Sequence, residues 1–228
     1  MSNITVLLAD DHSIVRQGLK ALLTAETDLT VVAEAQTGRE AVQLAAQLHP
    51  EVVIMDLAMP LLNGWEATRQ ILKGTPNVKI LVLSTYNGIE HIRQAIAAGA
   101  AAYLIKQTAA SDLVKAIREV RKGNAYFSPA IAQQLREQTC RSLSGENAPQ
   151  TDVELTLREA EVLQLIAEGF ANKQIAAELG LSVKTVEKHR QQVMNKLNIH
   201  DTAGLVRHAV AHGIIETNLA GVPEALLS

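Results

Sequence analysis

Five times in the first 125 residues, an apolar run of strand length gives way to a stretch with apolar residues three and four apart. The strand candidates are Ile4–Ala9, Thr30–Ala35, Val52–Met55, Lys79–Leu83 and Ala101–Ile105. Between and after them run the helical patterns Ile14-Val15-Leu19-Leu22-Leu23, Ala41-Val42-Leu44-Ala45-Leu48, Trp65-Ile71-Leu72, Ile92-Ala95-Ile96 and Leu113-Val114-Ile117-Val120. Five such β/α units with short links predict a five-stranded parallel sheet covered by helices on both faces, because parallel strands need crossovers and helices bury both sides. Gly74, Gly99 and Gly123 each follow a helical pattern and are expected to stop it in left-handed geometry.

The rest of the chain has a different rhythm. Ser128-Pro129 reads as a helix start, with a short helix to about Gln138. The polar stretch Arg141–Asp152 has no apolar period and reads as a linker. Thr156-Leu-Arg-Glu159 is a capping box for a helix that stops at Gly169, and helices are expected over Asn172–Leu179, Val183–Leu197 and about Thr202–His212. The predicted organisation is an α/β domain at 1–124, a linker with a short helix at 125–152, an all-α four-helix domain at 153–216 and a tail at 217–228.

Composition narrows the class. At 47% hydrophobic residues there is enough apolar material for two cores. No apolar run approaches a membrane span and the N-terminus lacks a secretion signal. A single cysteine, Cys140, cannot form an internal disulfide and fits a reducing cytoplasm. Residues 126–228 carry 9 Lys+Arg against 12 Asp+Glu, so overall charge gives the second half no attraction for nucleic acid. Locally the sign reverses: between Asn172 and Arg207 six bases face three acids, and any DNA binding must rest there.

Chemistry concentrates at the predicted strand ends. Asp10 and Asp11 follow the first strand and Asp56 the third. In an open parallel sheet of order 2-1-3-4-5 the strand order reverses between strands 1 and 3, so these acids converge where such sheets bind ligands. Crowded carboxylates need a hard cation, and Mg²⁺ suits two carboxylates, a carbonyl and waters. Ser84 after the fourth strand and Lys106 after the fifth add a hydroxyl and an ammonium. Such a set stabilises a phosphoryl group attached to a carboxylate. Taken singly, each residue reads more simply as a helix cap or a solvated charge. Their placement at successive strand ends makes the constellation specific.

In the second domain, Asn172–Leu179, Gly180-Leu-Ser182 and Val183–Arg190 have helix-turn-helix spacing. Ile175, Ala176 and Leu179 share one face, as do Val186, Val193 and Leu197, with Gly180 at the turn and Ser182 as cap. Lys184, Thr185, Glu187, Lys188, Arg190 and Gln191 fall off that face, where polar side chains can enter a major groove.

Residues 4–122 resemble a receiver domain, in Asp10-Asp11, Asp56-Leu-Ala-Met-Pro60, Gly64, Ser84, Gly99-Ala100, Tyr103 and Lys106. Residues 155–215 resemble the DNA-binding domain of NarL/FixJ (LuxR-type) regulators, in Leu155–Glu159, Glu161-Val-Leu163, Gly169, Asn172–Ala176, Leu179, Ser182, Thr185-Val186, His189 and Lys196-Leu197. Gln107 and Leu157 depart from the commoner residues at those places. The resemblance implies a flavodoxin-like sheet and a two-component response regulator whose Asp56 takes phosphate from a sensor histidine kinase. It implies Mg²⁺ held by Asp11, Asp56 and the Ala58 carbonyl, with Asp10 acting through water. Ser84 and Lys106 would bind the phosphoryl group, and Tyr103 would turn inward behind Ser84. Glu187, Lys188 and Gln191 would read bases, while Lys173, Lys184, Thr185, Arg190 and Lys196 would contact the DNA backbone. Leu205, Val206 and Ala209 on the last helix would form a homodimer on phosphorylation, matched to paired half-sites in double-stranded DNA. At rest, the first domain is expected to cover the recognition helix. No enzyme activity is implied beyond self-phosphorylation from small donors and autodephosphorylation. Two other classes fit parts of the pattern: a Mg²⁺-dependent phosphatase on the same acid cluster, which would need a substrate-binding insertion, and a protein-binding adaptor whose helix-turn-helix no longer binds DNA.

Overall fold

The computed structural model describes residues 3–108, 110–128, 131–137 and 155–215. Strands β1 (Ile4–Ala9), β2 (Leu29–Ala35), β3 (Val52–Met55), β4 (Lys79–Ser84) and β5 (Ala102–Ile105) alternate with α1 (Ser13–Thr24), α2 (Gly38–Leu48), α3 (Gly64–Gly74), α4 (Ile89–Ala98) and α5 (Ala110–Arg121). The strands pair in parallel in the order β2-β1-β3-β4-β5, as the alternating pattern requires. A sixth, two-residue strand, β6 (Tyr126–Phe127), adds to the β5 edge.

Side-chain alternation along the strands divides the domain into two cores. Leu7, Val53, Met55, Ile80, Val82 and Tyr103 face one side and pack with Ala41, Trp65, Ile71 and Ile92 of α2, α3 and α4. Val6, Leu8, Ile54, Leu81, Leu83 and Leu104 face the other, against Leu23 of α1 and Leu113, Ile117 and Val120 of α5. The strand period of two thus sets which helices cover which face.

Three expectations need revision. The sheet has a sixth strand, which two residues could not announce by periodicity. That strand, and the packing of Ile131 and Leu135 from the helix at 131–137 (α6) onto the first core, carry the domain past residue 124 into the expected linker. Gly99 and Gly123 do adopt positive φ, but Gly74 lies within α3, which ends on Thr75 at φ −137°. Ser128 Oγ accepts from Ile131 N at 3.4 Å, as a cap would. Pro129, Gln138, Cys140, the Arg141–Asp152 linker and the 217–228 tail lie outside the described residues.

The second domain comprises α7 (Leu157–Ala167), α8 (Asn172–Leu179), α9 (Val183–Leu197) and α10 (Thr202–Ala211). Thr156 and Glu159 form the capping box reciprocally, and Ser182 Oγ accepts from Thr185 N at 3.1 Å to start α9. Gly180 closes α8 at φ +64°. Val162, Leu163, Ile166, Ile175, Val186, Val193 and Leu205 form the core. Among the described residues no helix is long and apolar enough to cross a membrane.

Candidate functional site

Asp10, Asp11 and Asp56 follow the C-terminal ends of β1 and β3, neighbouring strands at which the sheet order reverses. Asp56 is 2% exposed. Its Oδ1 accepts from Leu57 N at 2.7 Å and its Oδ2 from Lys106 Nζ at 2.7 Å. The same ammonium lies 2.9 Å from Asp10 Oδ2, while Asp10 Oδ1 accepts from His12 N. Arg16, on α1, donates to the Asp10 carbonyl at 2.7 Å and steadies the end of β1. Burial pushes the Asp56 carboxyl up to about 6, against the pull of Lys106. Burial also works against the Lys106 charge, but Asp56 and Asp10 outweigh it, and that pKa ends above the usual lysine value.

One ligand atom each from Asp10, Asp11, His12 and Asp56 lies within 4.8 Å of the others. Asp11 Oδ1 is shielded from solvent and accepts no hydrogen bond of good geometry, although His12 Nδ1 is 2.7 Å away. A shielded carboxylate oxygen without a donor, beside two further carboxylates, fits a hard divalent cation. Ser84 is wholly buried at the end of β4, and its Oγ accepts from Tyr86 N at 3.2 Å. Tyr103 lies inward at 0% exposure and donates to the Tyr86 carbonyl at 2.7 Å. Gly64 opens α3 against this site: a Cβ there would stand 2.0 Å from the Asp56 carbonyl oxygen, and Gly64 N donates to the Leu57 carbonyl.

In the second domain Glu187, Lys188 and Gln191 are exposed along α9, as are Lys173 and Lys184. Thr185 Oγ1 pairs with Ser182 Oγ at 2.8 Å.

With both sites in view, comparison with known proteins is decisive. Residues 6–118 match the response regulator receiver domain family, and residues 153–209 match the bacterial regulatory proteins of the luxR family. The uncharacterized transcriptional regulatory protein YxjL of Bacillus subtilis is 38% identical over 213 residues, covering 93% of this chain and 98% of its own. The chain belongs to the LuxR-type response regulators.

The response regulator protein VraR of Staphylococcus aureus is 34% identical, covering 93% of the regulator and 99% of its own length. A LuxR-family response regulator from Aurantimonas superposes with a TM-score of 0.59 at 36% identity, over 61% of the regulator and 99% of that chain. RcsB of Salmonella enterica serovar Typhimurium, solved bound to a promoter, superposes with a TM-score of 0.59 at 27% identity, over 91% and 98% of the two chains.

The structure also corrects individual residues. Leu205 and Ala209 are 0% exposed and face the core of the DNA-binding domain, so they are not available to a partner. The accessible apolar residues on α10 are Ala203, Val206, Val210 and Ala211, off the buried face. Lys196 Nζ is bound to Glu159 Oε2 at 2.7 Å, which ties α9 to the capping box of α7. Arg190 bonds Asn172 Oδ1 at 3.3 Å and Thr202 Oγ1 at 2.5 Å and so braces α8 and α10. Both cations are paired within the domain.

Among the described residues, the receiver does not cover the recognition helix. Its contacts fall on α7, α8 and the turn after α10. Gln164 of α7 meets Met59 and Asn63, Glu168 meets Leu61, Glu161 meets Gln70, and Glu178 lies 3.6 Å from Arg39. The domains dock through α7, α8 and the turn after α10, and Glu187, Lys188 and Gln191 stay exposed. Sequence reasoning missed His12, Leu61, Asn63, Gln164 and Glu168. The one available signal was α7 itself, which buries Glu159, Glu161 and Gln164 where an amphipathic helix would be expected to show apolar residues or solvent.

Proposed function

We propose that the regulator is a phosphorylation-controlled transcription factor of a two-component pathway, with Asp56 as phospho-acceptor. The observation that carries this is the Asp56 carboxylate, buried, held by Lys106 at 2.7 Å and clustered with Asp10 and Asp11, on a chain whose other domain presents Glu187, Lys188 and Gln191 to solvent.

The chemistry follows from the residues. With its carboxyl near 6, Asp56 is mostly ionised at pH 7 and can attack phosphorus, forming an acyl phosphate while the bond to the donor's leaving group breaks. Lys106 then pairs with the phosphoryl oxygens, and the Ser84 hydroxyl hydrogen-bonds one of them. Mg²⁺, held by Asp11, Asp56 and the Ala58 carbonyl with Asp10 behind, would supply charge neutralisation for the transferring group. The natural donor is a sensor histidine kinase, and activity of its own is confined to taking phosphate from small donors and losing it again. Phosphorylation favours a homodimer on paired half-sites of double-stranded DNA, in the cytoplasm. Glu187, Lys188 and Gln191 read bases. Lys173, Lys184 and Thr185 contact the backbone.

Incubation with acetyl phosphate and Mg²⁺ tests this. One phosphoryl group on the wild type, none on Asp56→Asn and none with EDTA are expected. Equal labelling of Asp56→Asn would overturn the assignment.

A further inference from the structure

Two polar side chains of the DNA-binding domain grip the backbone of the loop that leads away from Asp56. Gln164 is 0% exposed. Its Nε2 donates to the Met59 carbonyl at 2.9 Å, and its Oε1 accepts from Asn63 N at 2.7 Å and Asn63 Nδ2 at 3.1 Å. Glu168 accepts from Leu61 N at 3.0 Å and from Gln164 Nε2 at 2.7 Å. Leu61 sits between these grips in the left-handed region at φ +66°, with its side chain packed against the core of the DNA-binding domain. A leucine is unfavourable there, so the docked partner supports that geometry. Glu168 stands at the C-terminal end of α7, where a carboxylate opposes the helix dipole. Its placement is better explained by Leu61 than by α7.

We propose that Gln164 and Glu168 are positioning residues for phosphoryl acceptance: they clamp residues 59–63 and thereby set how readily Asp56 is phosphorylated. The proposal rests on Asp56 being the acceptor. The loop is short and fixed at its far end, because Asn63 both caps α3 through Glu66 N and bonds Gln164. At that same end Gly64 packs against the Asp56 carbonyl and its N donates to the Leu57 carbonyl, so the loop closes back on the strand end that carries Asp56. A displacement of Asp56 is therefore transmitted to residues 59–63. The clamp is satisfied around an Asp56 carboxylate held by Lys106. Replacing that carboxylate with a bulkier, more charged acyl phosphate shifts the loop and leaves Gln164 buried with unmatched partners, which is costly. By linkage, a clamp loosened by phosphorylation disfavours the phosphorylated state at equilibrium, and it slows uptake to the extent that the loop has already moved when the bond to phosphorus forms. The coupling runs through the back of the DNA-binding domain and does not require the recognition helix to be covered.

Trp65, the protein's one tryptophan, reports the docked state, since it is 5% exposed, lies near His91, and is approached by Gly213 of the DNA-binding domain. The experiment uses the full chain with acetyl phosphate and Mg²⁺. Gln164→Ala/Glu168→Ala is expected to take up phosphate at least about tenfold faster than wild type, with Glu168→Gln within about twofold because it keeps an acceptor. The double variant should show red-shifted Trp65 emission before donor is added, and wild type only afterwards. Leu61→Ala approaches the clamp from the receiver side, removing the packing against the DNA-binding domain while keeping the strained φ, and should also speed uptake and red-shift Trp65, without touching the buried Gln164. Wild-type uptake rates in both clamp variants, or unshifted emission in both, would sink the clamp. Should those rates be unchanged while Asp56→Asn stays unlabelled, the clamp alone fails. Labelling of Asp56→Asn equal to wild type removes the acceptor assignment on which it rests.

Discussion

Asp56 is held in a place that is poor for folding and useful for chemistry. An ordinary aspartate titrates near 3.8 and this one near 6, so between those values the native state keeps a proton that the unfolded chain has lost. The favourable contribution is therefore fully present below about 4 and lost as pH rises through about 6. A shift of this size corresponds to no more than about 3 kcal/mol. In Mg²⁺-free buffer, Asp56→Asn should raise unfolding stability by ~1–3 kcal/mol at pH 7.5 and by little near pH 4.5, measured by urea unfolding at both values. An equal gain at the two pH values would show that the carboxylate's charge is not the source. Eight residues on, Gly64 is fixed by proximity, since its absent Cβ would stand 2.0 Å from backbone that cannot swing aside. Gly64→Ala should destabilise the chain by roughly 2–4 kcal/mol, as overpacking against backbone does, and slow acetyl phosphate labelling as well.

Among the elements, legibility followed periodicity. β1 to β5 were readable as strand-length apolar runs set between helical patterns, and α7 to α10 by their apolar spacing of three and four and their capping residues. β6 was not, because Tyr126-Phe127 contains only one step of any period. The acid cluster was readable because strand ends locate side chains from topology alone. The roles of Lys196 and Arg190 were not, since a cation on a polar helix face looks the same whether it meets DNA or Glu159, Asn172 and Thr202. On α10 the apolar residues Ala203, Leu205, Val206, Ala209 and Val210 leave two faces of similar character, and packing against α7 decides which one is buried. Val206→Glu should therefore weaken association of the phosphorylated protein in sedimentation while leaving the monomer folded. Leu205→Glu should unfold the domain. On α9, Glu187 repels phosphate and can accept from a cytosine amino group. Glu187→Ala should change sequence preference in a binding-site selection, whereas Lys184→Ala should weaken all sites and reduce the salt slope by about 1. Equal losses on specific and random DNA for Glu187→Ala would remove the base-reading role.

At the scale of the whole molecule, the open recognition face changes what phosphorylation has to accomplish. A receiver lying over α9 would hide DNA contacts outright, and phosphorylation would raise affinity for any site, single or paired. Here the receiver holds α7, α8 and the turn after α10, while Glu187, Lys188 and Gln191 remain exposed. On the proposed function, the gain on phosphorylation then comes mainly from assembling two copies, with the second half-site bound at high effective concentration. Affinity for an isolated half-site should change less than about threefold on phosphorylation, while affinity for two correctly spaced half-sites should rise by at least about tenfold. Val206→Glu should abolish the second gain and spare the first. Fluorescence anisotropy with single and paired duplexes at fixed salt measures both, because phosphate contacts make any unmatched salt condition misleading. If single-site affinity rises as much as paired-site affinity, the docked receiver obstructs DNA after all, and the control lies in exposure of α9 instead of in assembly.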